Sequence, residues 1–392
     1  MSNEANQDIT LDDEIKSKFF ILQWWDNILA WFNSIGQWFK DFKVANAKQR
    51  RRSIAKFFIN YALVLFIIVY VIVVAFINPR FLYLNSLVNI LSQASLLLMV
   101  SLGMAGIIVL TGADLSASSV VYFCVAVLST LIPNISSVSS SGDNGVYLIK
   151  GMLLPLFVVF IVALILGGLV GSINGTLTAK FKVHPFIGTM ATNFVFGGSA
   201  LTMMYLGMLG GQGSGVLLSG GSPIVKLVNN GFSIGKVLVP NIIWFALIAV
   251  VILTIIWNKT KFGKNMFAVG CNPEAARVAG VNVTLVTIMV FALAGIMYGY
   301  AAFFGLGQNW GGKENSYSLL GLYAIASCVI GGVSFTGGVG KIRGVVFGVI
   351  LFQLITNSTS YVGLSASIGN VFIGVVVAFA VVFDMLKYRT RT

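Results

Sequence analysis

The chain has 392 residues, of which 57% are hydrophobic and only 9% are charged, and its formal net charge is +13. So apolar a composition exceeds what a soluble core of this length needs, and it indicates an all-α polytopic membrane protein. The basic residues fall mostly in short clusters between apolar segments, so the positive charge does not indicate nucleic-acid binding. The three cysteines do not imply a disulfide framework, and the single histidine, His184, excludes a histidine metal cluster.

The N-terminal region precedes the first apolar segment and shows no cleavable signal peptide. Residues 1–14 are acidic and polar and are predicted to be disordered. Residues 15–55 predict an amphipathic helix, with Trp24, Trp31 and Trp38 on its apolar side, followed by a basic linker. Such a helix is typical of an anchor at the cytoplasmic membrane surface, and docking on a partner protein is the alternative.

The transmembrane domain is predicted over residues 56–386, because a membrane span needs about 20 apolar residues. Ten segments qualify, namely 56–78, 87–110, 115–133, 150–175, 184–208, 239–257, 285–307, 319–335, 343–360 and 367–386. With the N-terminus inside, every basic cluster falls on the cytoplasmic side, as does the tail 387–392. Both termini are therefore predicted to be cytoplasmic, with the polar loops 134–149 and 209–238 on the opposite face.

A first break in helical structure is predicted near Asp114, in the run GMAGIIVLTGADLSASSVV at 103–121. A carboxylate within the membrane costs about 2.5–3.5 kcal/mol on insertion scales, so Asp114 should face the bundle interior, a partner or a water-filled cavity. It can cap the next half-helix at Ser116 to Ser118, or it can contact the substrate directly. Both interpretations stay open at the level of the sequence.

A second break is predicted at 329–338, where VIGGVSFTGG has a pattern of apolar and small residues related to that of VLTGADLSAS at 109–118. Paired small-residue interruptions mark transporter cores built from discontinuous helices. Close helix packing would leave the same trace, because glycine also lets two helices approach each other.

The polar loop 258–284 is the longest basic interruption among the apolar segments. Its centre predicts a short cytoplasmic helix, with Asn272 as the cap, Pro273 at the first helical position, Glu274 near the positive end of the helix dipole and Gly280 as the stop. Such a helix can dock on a soluble subunit, although loops of this kind are often only connectors.

The source of energy is predicted to lie outside this chain. No phosphate-binding G-x-x-x-x-G-K-[ST] motif is present, since Phe335 stands where the first glycine belongs and Ile342 follows Gly340-Lys341. The apolar segments also lack the series of Asp, Glu or His residues that a proton relay uses. Both absences favour a separate ATPase, for which loop 258–284 is the candidate contact.

Four blocks resemble the branched-chain amino acid and monosaccharide group of ABC importer permeases. They lie at 103–121, 168–202, 257–283 and 324–351, in family order, and the resemblance runs from about residue 56 to the end. The segment FGKNMFAVGCNPEAARVAGVNV resembles permeases of galactose and methyl-galactoside importers more than it resembles permeases of ribose importers.

This resemblance implies a permease that pairs with a second copy of itself in the bacterial inner membrane. It implies a cytoplasmic partner with two ATPase modules, which binds ATP and Mg²⁺, and a periplasmic sugar-binding protein; no cofactor or metal is expected on this chain. The implied ATPase-coupling residues are Asn272, Pro273, Glu274, Ala275, Ala276, Arg277, Val278, Ala279 and Gly280. One departure from the family pattern is Ser118, which replaces a glycine and makes a positive φ less accessible there.

The resulting hypothesis is a sugar-importing permease that is not itself an enzyme. Candidates for the substrate pathway are the polar residues within apolar runs, namely Gln93, Asp114, Ser116, Asn193 and Asn357. Each of them can equally be an interhelical hydrogen bond. The alternatives to an ATP-driven importer are a proton-coupled secondary transporter that uses Asp114 and a passive channel.

Overall fold

The computed structural model describes most of the chain between residues 69 and 363. The described residues are 69–132, 135–138, 146–149, 155–205, 215–218, 222–313, 316–363, 368–369, 371, 374–375 and 378. All of them belong to the unit Ile67–Thr392. The predictions for the N-terminal tail, the amphipathic helix with its linker, most of the first and last spans and the C-terminal tail lie outside the described residues.

Helices dominate the part of the chain that the structure describes. Residues 69–77 are helical, and a 3₁₀ helix covers Pro79–Leu82. The α-helices that follow are α1 (Leu84–Val109), α2 (Ala117–Leu131), α3 (Leu156–Ala179), α4 (Pro185–Tyr205), α5 (Pro223–Asn229), α6 (Ile242–Lys259), α7 (Lys261–Cys271), α8 (Pro273–Val278), α9 (Val283–Gln308), α10 (Leu320–Ile330) and α11 (Ile342–Tyr361).

The predicted spans correspond well to these helices. Eight of the ten predicted segments correspond to α1 to α4, α6 and α9 to α11, and the described helical residues 69–77 lie at the end of the predicted segment 56–78. Within the described residues, five helices (α1, α3, α6, α9 and α11) are long and apolar enough to cross a membrane, whereas α2 and α10 are shorter apolar helices. The total of ten spans stays a prediction.

Helix α1 forms the centre of the bundle. Inside the structure, 94% of its most apolar window is buried, against 28% for α3 and for α6. A helix that is apolar on all sides and almost wholly enclosed belongs to the core of a large bundle, whereas α3 and α6 lie at its periphery.

Helix α3 shows how one apolar helix serves two environments. Its face toward α9 carries Gly167, Gly171 and Gly175, and a side chain on Gly171 would overlap the carbonyl oxygen of Phe291. Small residues four apart let two helix backbones approach closely in a membrane. The outward face carries large apolar side chains with the same spacing, namely Phe157, Ile161, Ile165, Leu169 and Ile173, which are all exposed. The glycine face therefore packs against protein, while the exposed face suits lipid.

The all-α prediction was incomplete, because the structure contains short strands. A four-stranded antiparallel sheet has the order β2–β1–β3–β6, where β1 is Ile135–Val138, β2 is Val146–Ile149, β3 is Gly215–Leu218 and β6 is Gly311–Lys313. A separate hairpin joins β4 (Gly231–Ile234) to β5 (Val237–Pro240). Strands β1 to β4 and the first part of β5 lie in the two long polar loops, and β1, β2 and β3 share one sheet with β6, which follows α9.

Candidate functional site

Helix α8 is a short, capped helix between α7 and α9. The Asn272 side chain accepts a hydrogen bond of 3.0 Å from a backbone N–H in the first turn, and Pro273 occupies the first position. Glu274 also lies in the first turn, where the helix dipole favours a carboxylate, and it pairs with Arg277 at 3.0 Å. Gly280 follows with a φ of 83°, a conformation that ends helices. The predicted cap, start and stop are confirmed.

The surface of α8 is open. Val278 is 91% exposed, and the side chains of Arg277 and Glu274 are 63% and 75% exposed. Ala276 is the residue that α8 buries against the rest of the protein. An exposed valine beside an exposed ion pair gives a partner both apolar area and charge to recognise.

Helix α7 fixes α8 to the bundle. Met266 and Val269 on its inner face are 1% and 5% exposed, and Phe267 makes an edge contact with Trp257 of α6 at 5.5 Å between ring centroids. The Thr260 side chain caps α7 by accepting a hydrogen bond of 3.2 Å from the N–H of Gly263. Since α7 is packed along its length, α8 is carried by a firmly seated element rather than by a free loop.

The first predicted break is present between α1 and α2. The chain leaves the helix after Val109, and Thr111 has a φ of 62°, which a β-branched residue rarely adopts. The N–H of Gly112 then donates to the Ile107 carbonyl at 3.0 Å, which closes the end of the helix.

Asp114 stabilises the turn that enters α2. The residue is 1% exposed, and its Oδ1 accepts hydrogen bonds from the backbone N–H of Ser116 at 2.8 Å and from the Ser116 hydroxyl at 2.6 Å. This local side-chain-to-backbone pattern is an Asx turn, which holds the chain in the geometry that starts a helix. Asp114 therefore holds the turn before α2 rather than capping the helix itself, because the residue at the cap position of α2 is Ser116 and α2 has no side-chain cap hydrogen bond.

The Asp114 turn is the start of a buried hydrogen-bond network. The Asn174 side-chain N–H donates to the Ser116 hydroxyl at 2.8 Å, and the Thr192 hydroxyl donates to the side-chain Oδ1 of Asn174 at 2.8 Å. The network, called the Asp114 network below, therefore ties the first break to α3 and α4.

The second predicted break lies between α10 and α11. Gly332 has a φ of 79°, and the following loop is closed by a hydrogen bond of 3.1 Å from the Ser334 N–H to the Val339 carbonyl. Close packing is present as well, because a side chain on Gly331 would overlap the Gly344 carbonyl oxygen of α11. The two sequence-based interpretations of this segment, a break and a packing site, both apply.

A polar cavity of about 520 Å³ opens among α1, α5, α9, α10 and α11. Among the described residues that line it, none is charged, and many carry amides. The Gln353 side-chain amide donates to the Gln93 side-chain oxygen at 2.9 Å, and Gln308 donates to the Ser92 carbonyl at 2.8 Å. We call this space the amide cavity.

A second cavity, of about 190 Å³, lies between α2, α4 and the chain before α10. Its lining includes Ser119 and Asn193, joined by a hydrogen bond of 2.6 Å from the serine hydroxyl to the amide oxygen. Ser118 also lines this second cavity, which we call the hydroxyl cavity, and its side chain accepts a hydrogen bond of 2.8 Å from the N–H of Gly321.

The predicted difficulty of a positive φ at Ser118 does not arise. Ser118 lies inside α2, and the residue with a positive φ is Thr111.

Comparison with known proteins identifies the family. Residues 86–381 match the family model described as branched-chain amino acid transport system / permease component. The chain belongs to this permease family. It is 37% identical over 327 residues to the galactose/methyl galactoside import permease protein of Escherichia coli (strain K12), covering 83% of this chain and 94% of that protein. It is 31% identical over 321 residues to the ribose import permease protein of Bacillus subtilis (strain 168), covering 81% and 90%. No solved structure matches the chain.

Membership of this permease family confirms the resemblance found in the sequence. The chain is a permease component of the bacterial inner membrane, with several helices suited to crossing a membrane, and permease components are not enzymes. The preference for galactose over ribose permeases is also confirmed, since a second galactose/methyl galactoside permease, from Haemophilus influenzae, is 35% identical over 80% of this chain.

The structure distributes the predicted pathway residues of this permease over separate places. Gln93 lines the amide cavity and Asn193 lines the hydroxyl cavity. Asp114 and Ser116 belong to the Asp114 network, and Asn357 donates to the Gln353 carbonyl of its own helix at 3.1 Å. The five residues therefore do not form a single site.

Sequence reasoning missed three polar residues that organise these places. Gln308 and Gln353 line the amide cavity, and Asn174 connects α3 to the first break. The signal was available, because Gln353 and Asn174 are amides within predicted spans, like Asn357. The sequence does not show how deeply each amide side chain is buried or which residue it hydrogen-bonds.

Proposed function

We propose that the chain is the membrane-spanning subunit of an ATP-driven monosaccharide importer, with galactose or a methyl galactoside as the substrate. The observation that carries this proposal is the 37% identity to the Escherichia coli galactose/methyl galactoside import permease over 94% of that protein's length. Similarity that extends through nearly the whole relative favours a shared transport task rather than a shared fragment.

The proposed assembly contains two copies of this chain, a cytoplasmic subunit with two ATPase modules and a periplasmic sugar-binding protein. About ten spans cross the membrane, and both termini are cytoplasmic. The basic residues support this orientation. With ten spans, the loops that carry Lys180, Lys182, Lys259, Lys261 and Arg277 all fall on the same side of the membrane as α8, and short basic loops are retained in the cytoplasm. ATP and Mg²⁺ are bound by the ATPase, and this chain carries no cofactor.

The segment Asn272 to Gly280 is the proposed ATPase contact. Helix α8 is short, capped at both ends and exposed, and α7 seats it on the bundle. Closure of the ATPase modules on ATP would move α8 as a unit and bias the spans between outward-open and inward-open packings.

The amide cavity is the proposed part of the substrate pathway on the side opposite α8. Its volume lies within the range of about 300–1,000 Å³ that is usual for small-molecule sites. Neutral amides donate and accept hydrogen bonds at once, as sugar hydroxyls require, and Tyr323 adds an aromatic ring to the lining. Gln93 is the predicted pathway residue that this cavity supports most directly.

Reconstitution tests the proposal as a whole. We expect sugar uptake into proteoliposomes to need the ATPase subunit, the binding protein and ATP. Sugar flux driven by a pH gradient alone, without these partners, would contradict it.

Charge reversal tests the docking surface. The exposed pair of Glu274 and Arg277 contributes only about 0.2–1 kcal/mol, so reversing it should leave the fold intact. We expect Glu274→Arg to reduce co-purification of the ATPase. The double variant Glu274→Arg with Arg277→Glu keeps an ion pair within α8 but inverts the surface, and it should be impaired as well.

Lys226→Glu is the matched control for these reversals. Lys226 is exposed on α5, beside the far end of α9 from α8, as shown by the hydrogen bond of 2.8 Å from Asn229 to the Gly307 carbonyl. This variant should bind the ATPase normally. Unchanged co-purification in both α8 variants would show that the docking assignment is wrong.

A further inference from the structure

Three backbone segments meet directly behind α8. They are Val109 to Thr111 at the first break, Gly270 to Cys271 at the end of α7, and Gly337 to Gly338 at the second break. The Gly338 N–H donates to the Val109 carbonyl at 2.9 Å, and the Cys271 thiol lies 3.8 Å from the Gly338 carbonyl oxygen, to which it donates. We call this meeting point the coupling junction.

The coupling junction is too close-packed for side chains. A Cβ at Gly270 would overlap the Val109 carbonyl oxygen and lie 2.9 Å from the Gly338 nitrogen. A Cβ at Gly338 would lie 3.0 Å from the Cys271 Cα, and the φ of 66° at Gly338 also favours glycine. Because backbone touches backbone here, a displacement of one segment cannot be absorbed by side-chain rotation.

The coupling junction is attached to α8 by a very short connection. Cys271 is followed immediately by Asn272, the cap of α8, and the Asn272 N–H donates to the Ala268 carbonyl of α7 at 3.1 Å. Helix α8 thus continues α7 with one change of direction and no flexible linker. Gly270 and Cys271 are therefore directly connected to α8 through Asn272.

We propose that the coupling junction transmits the movement of α8 to both breaks at once, with Gly270 and Gly338 as positioning residues for the coupling of ATP hydrolysis to transport. The proposal rests on the proposed function, in which α8 is the ATPase contact. It assigns the two breaks to the moving parts of the permease. Gly337 and Gly338 of the second break are required by close contact with Gly270 and Cys271 at the end of α7 rather than by contact with sugar.

The decisive comparison is Gly338→Ala against Gly332→Ala. Both glycines lie in the second break with positive φ, at 66° and 79°, but a Cβ at Gly332 would have nothing within 4 Å. The two variants therefore carry similar backbone strain, and only Gly338→Ala disturbs the coupling junction. In proteoliposomes with ATPase and binding protein, we expect Gly338→Ala to lower ATP-dependent uptake about tenfold or more relative to Gly332→Ala.

A second readout separates coupling from general damage. Gly338→Ala should still co-purify with the ATPase and hydrolyse ATP at the basal rate, while losing the stimulation of hydrolysis by sugar-loaded binding protein. Equal uptake and equal stimulation in the two variants would overturn the proposal. If the wild-type chain transports without the ATPase, the proposed function fails instead, so the two failures are distinguishable.

Cys271 offers a measurement that needs no variant. It is exposed, whereas Cys124 and Cys328 are buried, so a maleimide probe should label the native chain at Cys271. In the assembled complex we expect the labelling rate to change about threefold or more when ATP is trapped, because the thiol separates from or closes on Gly338. A rate that is independent of nucleotide would show that the coupling junction does not move, even if Gly338→Ala fails to fold.

Discussion

The role of Asp114 can be decided by comparing Asp114→Asn with Asp114→Ala. The Oδ1 of Asp114 accepts two hydrogen bonds from Ser116, at 2.8 and 2.6 Å. Asparagine keeps a carbonyl oxygen at this position and so keeps both acceptor contacts, whereas alanine removes them. If Asp114 serves to hold the turn that enters α2, Asn should substitute for it and Ala should not.

The expected free energies follow from these contacts. Leaving a buried donor without an acceptor costs about 1–3 kcal/mol, and Asp114→Ala affects two donors, although the Ser116 hydroxyl can rotate to another acceptor. We therefore expect a loss of about 2–4 kcal/mol in the free energy of unfolding for alanine. Asparagine keeps an acceptor for both donors and weakens each bond by at most about 1 kcal/mol, so its effect should be smaller than that of alanine.

Thermal unfolding in detergent, followed by fluorescence-detected size exclusion, measures the stability of both variants. ATP-dependent sugar uptake in proteoliposomes measures function. We expect Asp114→Asn to transport sugar like the wild type and Asp114→Ala to unfold at a clearly lower temperature than Asp114→Asn. A stable Asp114→Asn protein that assembles normally but transports nothing would refute this reasoning, because only a direct role of the carboxyl group in transport would explain it.

Three further predictions concern other contacts. Ser118→Ala should lower the free energy of unfolding by about 1–3 kcal/mol, measured by thermal melting, because the N–H of Gly321 loses its acceptor. Gly171→Val should prevent the folded protein from accumulating, because its side chain would overlap the Phe291 carbonyl, whereas Gly198→Val on α4, with nothing within 4 Å, should be tolerated. Gln353→Leu should reduce sugar uptake about tenfold without changing ATPase co-purification, since one good hydrogen bond is worth about that factor, and normal uptake would remove the amide cavity from the pathway.

Local structure was predictable wherever a few adjacent residues determine it. Asn272, Pro273 and Gly280 define the start and end of α8 through their own backbone preferences, and the structure agrees. The Asp114 turn is equally local, since its partner is two residues away. Most span positions were also predictable, because apolar length is a property of continuous sequence.

Non-local contacts were not predictable from the same information. Strand β3 pairs with β6, so that Val216 lies opposite Gly312 across a long stretch of intervening chain, and strands of three or four residues show no useful alternation. Ser118 replaces a glycine of the family pattern. Its hydroxyl accepts a hydrogen bond from the N–H of Gly321, which lies in the first turn of α10, far away along the chain. Such partners emerge only from the packing of helices that the sequence marks as uniformly apolar.

The position of the two breaks changes their interpretation. The sequence analysis interpreted the paired interruptions as a transporter core of discontinuous helices or as sites of close helix packing. In this fold the interruptions contact each other and the end of α7, through Gly338, Val109 and Cys271. The Asp114 carboxyl group in the first break accepts hydrogen bonds from the N–H and the hydroxyl of Ser116. This carboxyl group therefore stabilises the turn in which it lies.

Helix α1 connects this junction to the amide cavity. Its C-terminal residue, Val109, belongs to the junction, while Gln93 and Gln353 meet at the cavity. At a rise of 1.5 Å per residue, about 24 Å of continuous helix separate Val109 from Gln93. Because α1 is uninterrupted and almost wholly enclosed, we expect a displacement at Val109 to reach Gln93 as a shift or rotation of the whole helix. In the proposed function, this helix links the ATPase contact to the sugar cavity by a continuous stretch of backbone.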